Sequence, residues 1–411
     1  MKNLVPKRRF EEFKDSDPWE QRKLGEVINW SRGSNLAKSV INNKNIGADV
    51  IHYADLYKFS PVVDDVIHWS ESDEGTIIPE NSLLFPMSDV TPIGLARTST
   101  ITKSGVKAGG DTLIGTLNEY FNAEFMSYQI NANARDILPL VTGTTVRHIN
   151  SNSLDTLDIL IANIEEQKRI SNFFNRLGNL ITLHQRKLDK LKETKSAYLS
   201  EMFPKEGELY PKRRFAGFTD PWEQRKLGEI ADKAVDNRGK TPPLDSNGTH
   251  PLIEVASLGT GSPDYSKVEK FLNDYSFEHN LRDYIKKGDI LFSTVGSIGL
   301  VSLMDDRENA AIAQNIVAFR AKENYSPEYL YALFSTESSK IKAYRIVMGA
   351  VQPSIKVSQL VDVKYFVTNN KEEQKLIGDF FIKLDNLITL HQRKLDKLQA
   401  LKQAYLSEMF V

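Results

Sequence analysis

Hydroxyl, amide and cationic side chains collect in four short stretches punctuated by glycine or proline. Residues 288–300, GDILFSTVGSIGL, place Ser293, Thr294 and Ser297 just past a run that reads as a strand. By order along the chain the counterpart is 81–99, NSLLFPMSDVTPIGLARTS, with Ser88, Thr91 and Arg97. A second pair follows: 141–154 carries Thr144, Thr145 and Arg147, and 347–360 carries Gln352, Ser354 and Lys356. Small hydroxyls, carboxamides and guanidinium groups on exposed loops donate to phosphate oxygens and pair with base edges, so the chemistry these stretches offer is polar recognition of a nucleic acid. A tight strand-to-strand turn explains the same residues without a ligand.

Charge distribution bears on that choice. The formal net charge is −1, which alone argues against a strongly basic binder. Yet from Val90 to Gly110 the charged residues are Arg97, Lys103 and Lys107, and from Ser338 to Val361 they are Lys340, Lys342, Arg345 and Lys356, with no acid in either run. Each run can equally be a solvated face. Arg238 and Lys240 join Lys103, Lys107 and Arg345 as further candidate contacts.

Catalytic patterns are missing. Gly239-Lys240-Thr241 imitates the end of a phosphate loop, but Ala234 stands where the leading glycine is needed, and Pro242-Pro243 follow where a helix must start. Gly259-Thr260-Gly261 is too short for a dinucleotide or methyl-donor site. No amino-methylation motif or nuclease carboxylate set is found, and the seven histidines form no close pair in sequence. The expectation is a chain with no catalytic residue, no metal and no cofactor of its own.

The elements that position these loops are duplicated. Residues 179–203 and 386–410 are identical except at 192–194 and 196, where Lys192, Glu193, Thr194 and Ser196 become Gln399, Ala400, Leu401 and Gln403. Both copies carry apolar residues on alternating steps of four and three, the spacing of a coiled-coil seam. The predicted seam runs through Ile181, His184, Leu188 and Leu191 in one copy and Ile388, His391, Leu395 and Leu398 in the other. Each helix can extend over about 40 residues, or ~60 Å. Two near-identical stripes in one chain are natural partners, and closure through a pseudo-twofold axis requires them to be antiparallel. His184 and His391 read as a polar interruption that fixes register; a metal pair is the lesser reading because no carboxylate or cysteine stands at ligand spacing.

The duplication extends to the lead-in of each globular part, since PKRRFEEFKDSDPWEQRKLGE at 6–26 recurs as PKRRFAGFTDPWEQRKLGE at 211–229. The predicted organisation is a first domain over 1–163 with its lead-in at 6–26, a central helix over 164–203, a linker and second lead-in over 204–221, a second domain over 222–370 and a distal helix over 371–411. Short apolar runs broken by glycine and proline, with helices at about 122–133 and 327–344, give an α+β class: two globular domains joined by two long helices in an antiparallel coiled coil. The absence of cysteine suits a reducing compartment, and the polar N-terminus with no apolar run of ~20 residues points to a cytoplasmic protein.

The chain resembles the specificity subunits of type I restriction-modification systems. The resemblance rests on the PWEQRKLGE segments at 18–26 and 221–229, the GDILFS turn at 288–293 and the Gly-x-x-Gln-x-x-Ile-like loop at 349–355. It rests also on the Glu-Glu-Gln-Lys helix starts at 165–168 and 372–375 and the duplicated LDKL…YLSEMF helices. The first domain departs from the pattern at Pro86-Met87 and Thr144-Thr145. The resemblance implies two target-recognition domains at opposite ends of an antiparallel coiled coil, each reading one half of a bipartite double-stranded DNA site, with the helices as a ruler. It implies two modification subunits that carry S-adenosylmethionine and methylate adenine, and two restriction-translocase subunits that use ATP and Mg. A scaffold that presents two protein-binding domains, and a fragment of a fused restriction-methylation enzyme, are the alternatives; the basic runs weigh against the first and the missing motifs against the second.

Overall fold

The computed structural model describes residues 4–237, 242–349 and 353–410. The chain divides into two compact units, Met1–Leu183 with Asp396–Val411, and His184–Leu395.

In the first unit the lead-in strand Glu20–Lys23 pairs antiparallel with Asp158–Ile161, the strand that delivers the chain to the first long helix. Between them stands a five-stranded sheet in the order Ile28–Arg32, Thr112–Leu117, Ser82–Pro86, Ser99–Ile101 and Val62–Val63. Ser82–Pro86 is buried along its whole length, which is why it reads as an unbroken apolar run rather than an alternating one. A smaller four-stranded sheet holds His68–Ser70, Ala48–Ile51, Lys107–Ala108 and Thr76–Ile77. The helix Ala123–Ala132 begins one residue inside the predicted start and is capped by Asn122, whose side chain accepts from Phe125 N at 2.8 Å.

The second unit repeats this plan with different residues. Its lead-in strand Glu223–Lys226 pairs with Lys364–Val367. A four-stranded sheet runs Ala231–Val235, Ile316–Ala321, Ile290–Ser293 and Val301–Leu303, and a three-stranded sheet holds Phe271–Leu272, His250–Ile253 and Ala311–Ile312. The single helix expected from Pro327 to about Tyr344 is two, Pro327–Phe334 and Glu337–Tyr344. Thr336 separates them: its hydroxyl donates to Leu333 O at 2.8 Å and accepts from Ser339 N at 3.2 Å, capping a new helix in place of continuing the old one.

The long helices span Ile164–Glu201 and Lys371–Met409, each about 57 Å at 1.5 Å per residue. Within the first unit Phe173 meets Tyr405 and Phe174 meets Phe410; within the second, Tyr198 meets Phe380 and Phe203 meets Phe381. In the first unit Phe174 lies against Phe410 and Gly178 beside Lys402, and in the second His184 meets His391, Lys195 meets Asp385 and Tyr198 meets Phe380, so within each unit residue numbers rise on one segment as they fall on the other and the paired segments run in opposite directions. The heptad pattern does two jobs along its length. Leu188 and Leu395 are buried and Ile181, Leu191, Ile388 and Leu398 half-buried, whereas Ile170 and Phe174 belong to the core of the first unit and Ile377, Phe381 and Leu384 to that of the second.

The repeated PKRRF segment explains how those directions are held. Arg9 forms a bidentate pair with Glu166 at 2.7 Å, and neighbouring Arg8 pairs with Glu408. In the second unit Arg214 grips Glu373 at 2.6 and 2.9 Å while Arg213 pairs with Glu201 at 2.8 Å. Each arginine couple therefore ties the first turn of one long helix to the last turns of the other. Glu166 and Glu373 are fully buried, and a buried carboxylate persists only with a partner of this kind. The glutamines beside them do related work: Gln167 accepts from Asn122 N and Gln374 from Ser326 N, both at 2.9 Å, seating the residues that cap the helices Ala123–Ala132 and Pro327–Phe334 on the long helix.

Candidate nucleic-acid interface

The two loop pairs singled out in the sequence meet in space. In the first unit Ser88–Asp89 pairs antiparallel with Arg147–His148, so the 81–99 and 141–154 loops form one surface. In the second unit Val295 and Met348 both bridge to Ser354, and Ile355 N donates to Thr294 O at 2.9 Å, which joins 288–300 to 347–360 in the same manner. Each unit thus offers one composite edge beyond the end of its central strands.

Side by side, the candidate residues separate into exposed groups and groups that hold the edge together. Thr144, Thr145, Ser297 and Lys356 are exposed, and Ser354 is half-buried. Ser293 and Thr294 face inward: Ser293 Oγ donates to Ser297 O at 2.6 Å and accepts from Leu300 N at 2.8 Å, and Thr294 Oγ1 donates to Asn315 O at 3.2 Å. Their hydroxyls close the loop and are not presented to a ligand. Arg97 likewise turns inward, donating to the carbonyls of Leu56 and Tyr57, and Arg147 donates to Gly143 O. Thr91 caps the short helix Pro92–Leu95 and donates to Asp89 at 2.8 Å. Ser88 donates to Asp111 at 3.2 Å.

The basic runs find acids and carbonyls from elsewhere in the chain. Lys103 pairs with Asp49 at 2.5 Å, which holds its ammonium above the ordinary lysine range, and Lys107 donates to Ser72 O and Asp73 O, both at 3.2 Å. Arg345 pairs with Glu206 at 3.0 Å. Burial holds Lys342 below the ordinary lysine range, and it donates to Lys364 O at 2.7 Å. Arg238, Lys240 and Gln352 lie outside the described residues. At the base of the second edge Asp289 is fully buried and accepts from Arg320 Nε and Nη2, both at 2.7 Å, anchoring the GDILFS turn; Gly288 at φ +85° makes that turn.

A cleft of about 500 Å³ opens beside the second edge, lined by Glu254, Lys270, Val295, Gln314, Asn315 and Ser354 among others. Lys270 pairs with Glu254 at 2.8 Å along its wall. Gln314 and Asn315 sit in the turn between two strands, and neither belongs to a glycine-rich or basic stretch that would single it out in the sequence. Among the described residues no group of three or more histidine, cysteine, aspartate or glutamate side chains can hold a metal ion. His184 and His391 share a hydrogen bond between their Nδ1 atoms at 2.9 Å. No helix of the described residues is long and apolar enough to cross a membrane.

The family model described as the type I restriction modification DNA specificity domain matches twice, over residues 16–193 and 219–400. The chain belongs to that family. It carries two specificity domains, each with its own composite edge. Its sequence is 21% identical over 398 residues to the MjaVIII specificity subunit of Methanocaldococcus jannaschii, covering 94% of this chain and 91% of the relative. It is also 21% identical over 424 residues to the EcoBI specificity subunit of Escherichia coli, covering 96% and 86%. The fold resembles the crystal structure of the type I restriction-modification S subunit from M. genitalium, with a TM-score of 0.66 at 15% identity over 99% of both chains.

Proposed function

We propose that each domain of this specificity subunit reads one part of a split duplex DNA target, and that the two long helices form an antiparallel coiled coil with pseudo-twofold symmetry that fixes the separation of the two parts. The observation that carries this reading is the contrast between a duplicated framework and divergent edges. The PKRRF clamps and the EQRK lead-in strands repeat residue for residue and the helix segments 179–203 and 386–410 differ at four positions only, while the loops at 81–99 and 288–300, and at 141–154 and 347–360, share a position and little sequence. A protein that reads two different sequences through one kind of scaffold needs this division.

The same repetition supports docking of two identical partners. Leu180 and Leu183 are 46% exposed in the first unit, and their repeats Leu387 and Leu390 are 44% and 46% exposed in the second. Apolar pairs one helical turn apart, presented twice, suit a partner that binds twice through the same contact. We assign these pairs to two modification subunits. Those subunits would carry S-adenosylmethionine and methylate adenine, and two restriction-translocase subunits would bring ATP and Mg; this chain supplies the address. Partner cations can complete the phosphate contacts, consistent with the near-neutral charge of the chain. The assembly would act in the cytoplasm, where its DNA is.

The test is a single-molecule methylome of a restriction-free host expressing the chain with its cognate modification subunit. Methylated adenines in one split motif with a constant gap are expected. Inserting four residues at 192–196 lengthens that helix by about 6 Å and should widen the gap by one or two base pairs; an unchanged gap in an assembled complex refutes the ruler. Absence of any motif from an assembled complex refutes the DNA reading as a whole.

A further inference from the structure

The turn that precedes the central strand is anchored by corresponding main-chain bonds in the two domains although no sequence similarity marks it and Asp111, at φ +60°, departs from its counterpart in backbone conformation. In the first, Lys107–Ala108 runs parallel to Ala48–Ile51, Gly109 N donates to Ile51 O at 3.0 Å, and the chain turns through 109–111 into Thr112–Leu117. In the second, Ala311–Ile312 runs parallel to His250–Ile253, Ala313 N donates to Ile253 O at 2.9 Å, and the chain turns through 313–315 into Ile316–Ala321. One further bond closes each turn onto its composite edge: Met87 N donates to Asp111 O, and Thr294 N to Asn315 O, both at 2.9 Å.

Two corresponding main-chain bonds thus anchor each turn while the side chains differ in hydrogen-bonding type. Gly110-Asp111 occupies one turn and Gln314-Asn315 the other. Asp111 and Gln314 are exposed. Neither Gln314 nor Asn315 has a side-chain hydrogen bond among the described residues, and Asn315 Oδ1 is buried without a partner, on the wall of the 500 Å³ cleft. Native structures rarely leave such an atom unmade, and one placed at a ligand-sized opening points to a partner that arrives from outside. Backbone held by main-chain bonds, with an exposed carboxamide at Gln314 on one turn and an exposed carboxylate at Asp111, oriented by Ser88, on the other, is what base discrimination requires.

We propose that these two turns carry the base-discriminating side chains: the Gln314-Asn315 carboxamides read an adenine in one part of the target, and the Asp111 carboxylate reads a cytosine in the other. A carboxamide accepts from adenine N6 and donates to N7, whereas a carboxylate only accepts and so suits cytosine N4. Thr294 and Ser88 then serve as positioning residues for Asn315 and Asp111, through the bonds already described. The assignment rests on the DNA reading of the chain.

The variants Gln314→Ala, Asn315→Asp and Asp111→Asn, in the full chain with its cognate modification subunits, test it by methylome sequencing, with thermal melting of each variant as a folding control. Gln314→Ala and Asn315→Asp are expected to relax or switch one adenine position in one part of the motif, lowering discrimination there roughly tenfold or more. Asp111→Asn is expected to alter one cytosine position in the other part, and every remaining letter should keep its stringency. An unchanged motif, or a uniform loss of methylation with all letters retained, overturns the assignment, because a discriminating group changes which base is accepted. A wild-type complex with no split motif would instead refute the DNA reading on which the assignment rests.

Discussion

Replacing Gly178 by aspartate should stabilise the first unit, because the second unit already contains the interaction that the first lacks. Lys195 pairs with Asp385 at 2.5 Å, and Tyr331 donates to the same carboxylate at 2.8 Å. In the repeat, Lys195 corresponds to Lys402 and Asp385 to Gly178. Lys402 lies over the ring of Tyr128, 5.6 Å from its centroid, with no salt bridge to a carboxylate among the described residues, and burial holds its ammonium below the ordinary lysine range. A Cβ placed on Gly178 meets only Lys402 Nζ, at 3.8 Å, so an aspartate there brings an oxygen within bonding distance without a clash. Two contributions add. Leaving glycine in a helix interior costs about 1 kcal/mol relative to alanine, of which aspartate recovers roughly half. The charge-assisted bond to a partly buried ammonium contributes about 1.5–2 kcal/mol, at the lower end of its usual range because some solvent still reaches Lys402. The sum, about 2 kcal/mol, should raise the melting midpoint of this unit by about 4–8 °C. Scanning calorimetry of wild type, Gly178→Asp, Gly178→Ala, and both with Lys402→Met separates the contributions. If Gly178→Asp gains no more than Gly178→Ala, or keeps its gain after Lys402→Met, the reasoning is wrong.

Three further outcomes follow from the same geometry. Arg9→Ala strands the fully buried Glu166 carboxylate and should destabilise the first unit by about 3–5 kcal/mol in denaturant titrations, with Arg214→Ala doing the same to the second. His391 is held below the ordinary histidine range chiefly by burial, with His184, Lys187 and Lys394 adding positive charge around it. The unfolded chain therefore binds the extra proton first, and stability should fall as pH drops below about 6.5; melting curves from about pH 7 to 5 should show this slope, and His391→Asn should flatten it. Lys356→Ala, at an exposed tip of the second edge, should weaken duplex binding alike for all sequences and lower the salt slope by about one charge in fluorescence titrations.

How much of this was legible in the sequence depends on the range over which each interaction acts. The heptads at 179–203 and 386–410 declare helices because periodicity is local, and Leu83–Phe85 declares a buried strand for the same reason. That Arg9 meets Glu166 was not legible: 157 residues separate them, and the repeat of PKRRF signalled importance without naming a partner. Residue type alone does not decide at Ser293 and Thr294, since a hydroxyl suits a ligand as well as it suits a loop closing on itself, and the packing here gives them bonds within the loop. Lys103 lies in an acid-free run of sequence, and only the fold brings Asp49 to it. Gln314 and Asn315 escaped notice because ordinary residues become informative there only through the bonds of the backbone beneath them.

The first unit is assembled from both ends of the chain. Phe410 and Met409 complete a core with Trp19, Phe125 and Phe174, yet the ribosome makes them more than two hundred residues after Phe174. At ordinary rates of synthesis the nascent first domain waits roughly 10–50 s with that apolar slot open, while the second unit, His184–Leu395, is contiguous and can close as soon as it emerges. Folding order should therefore run against chain order, and a premature stop codon only a few positions before Met409 would spare the second domain and leave the earlier-made one exposed to chaperones and proteases.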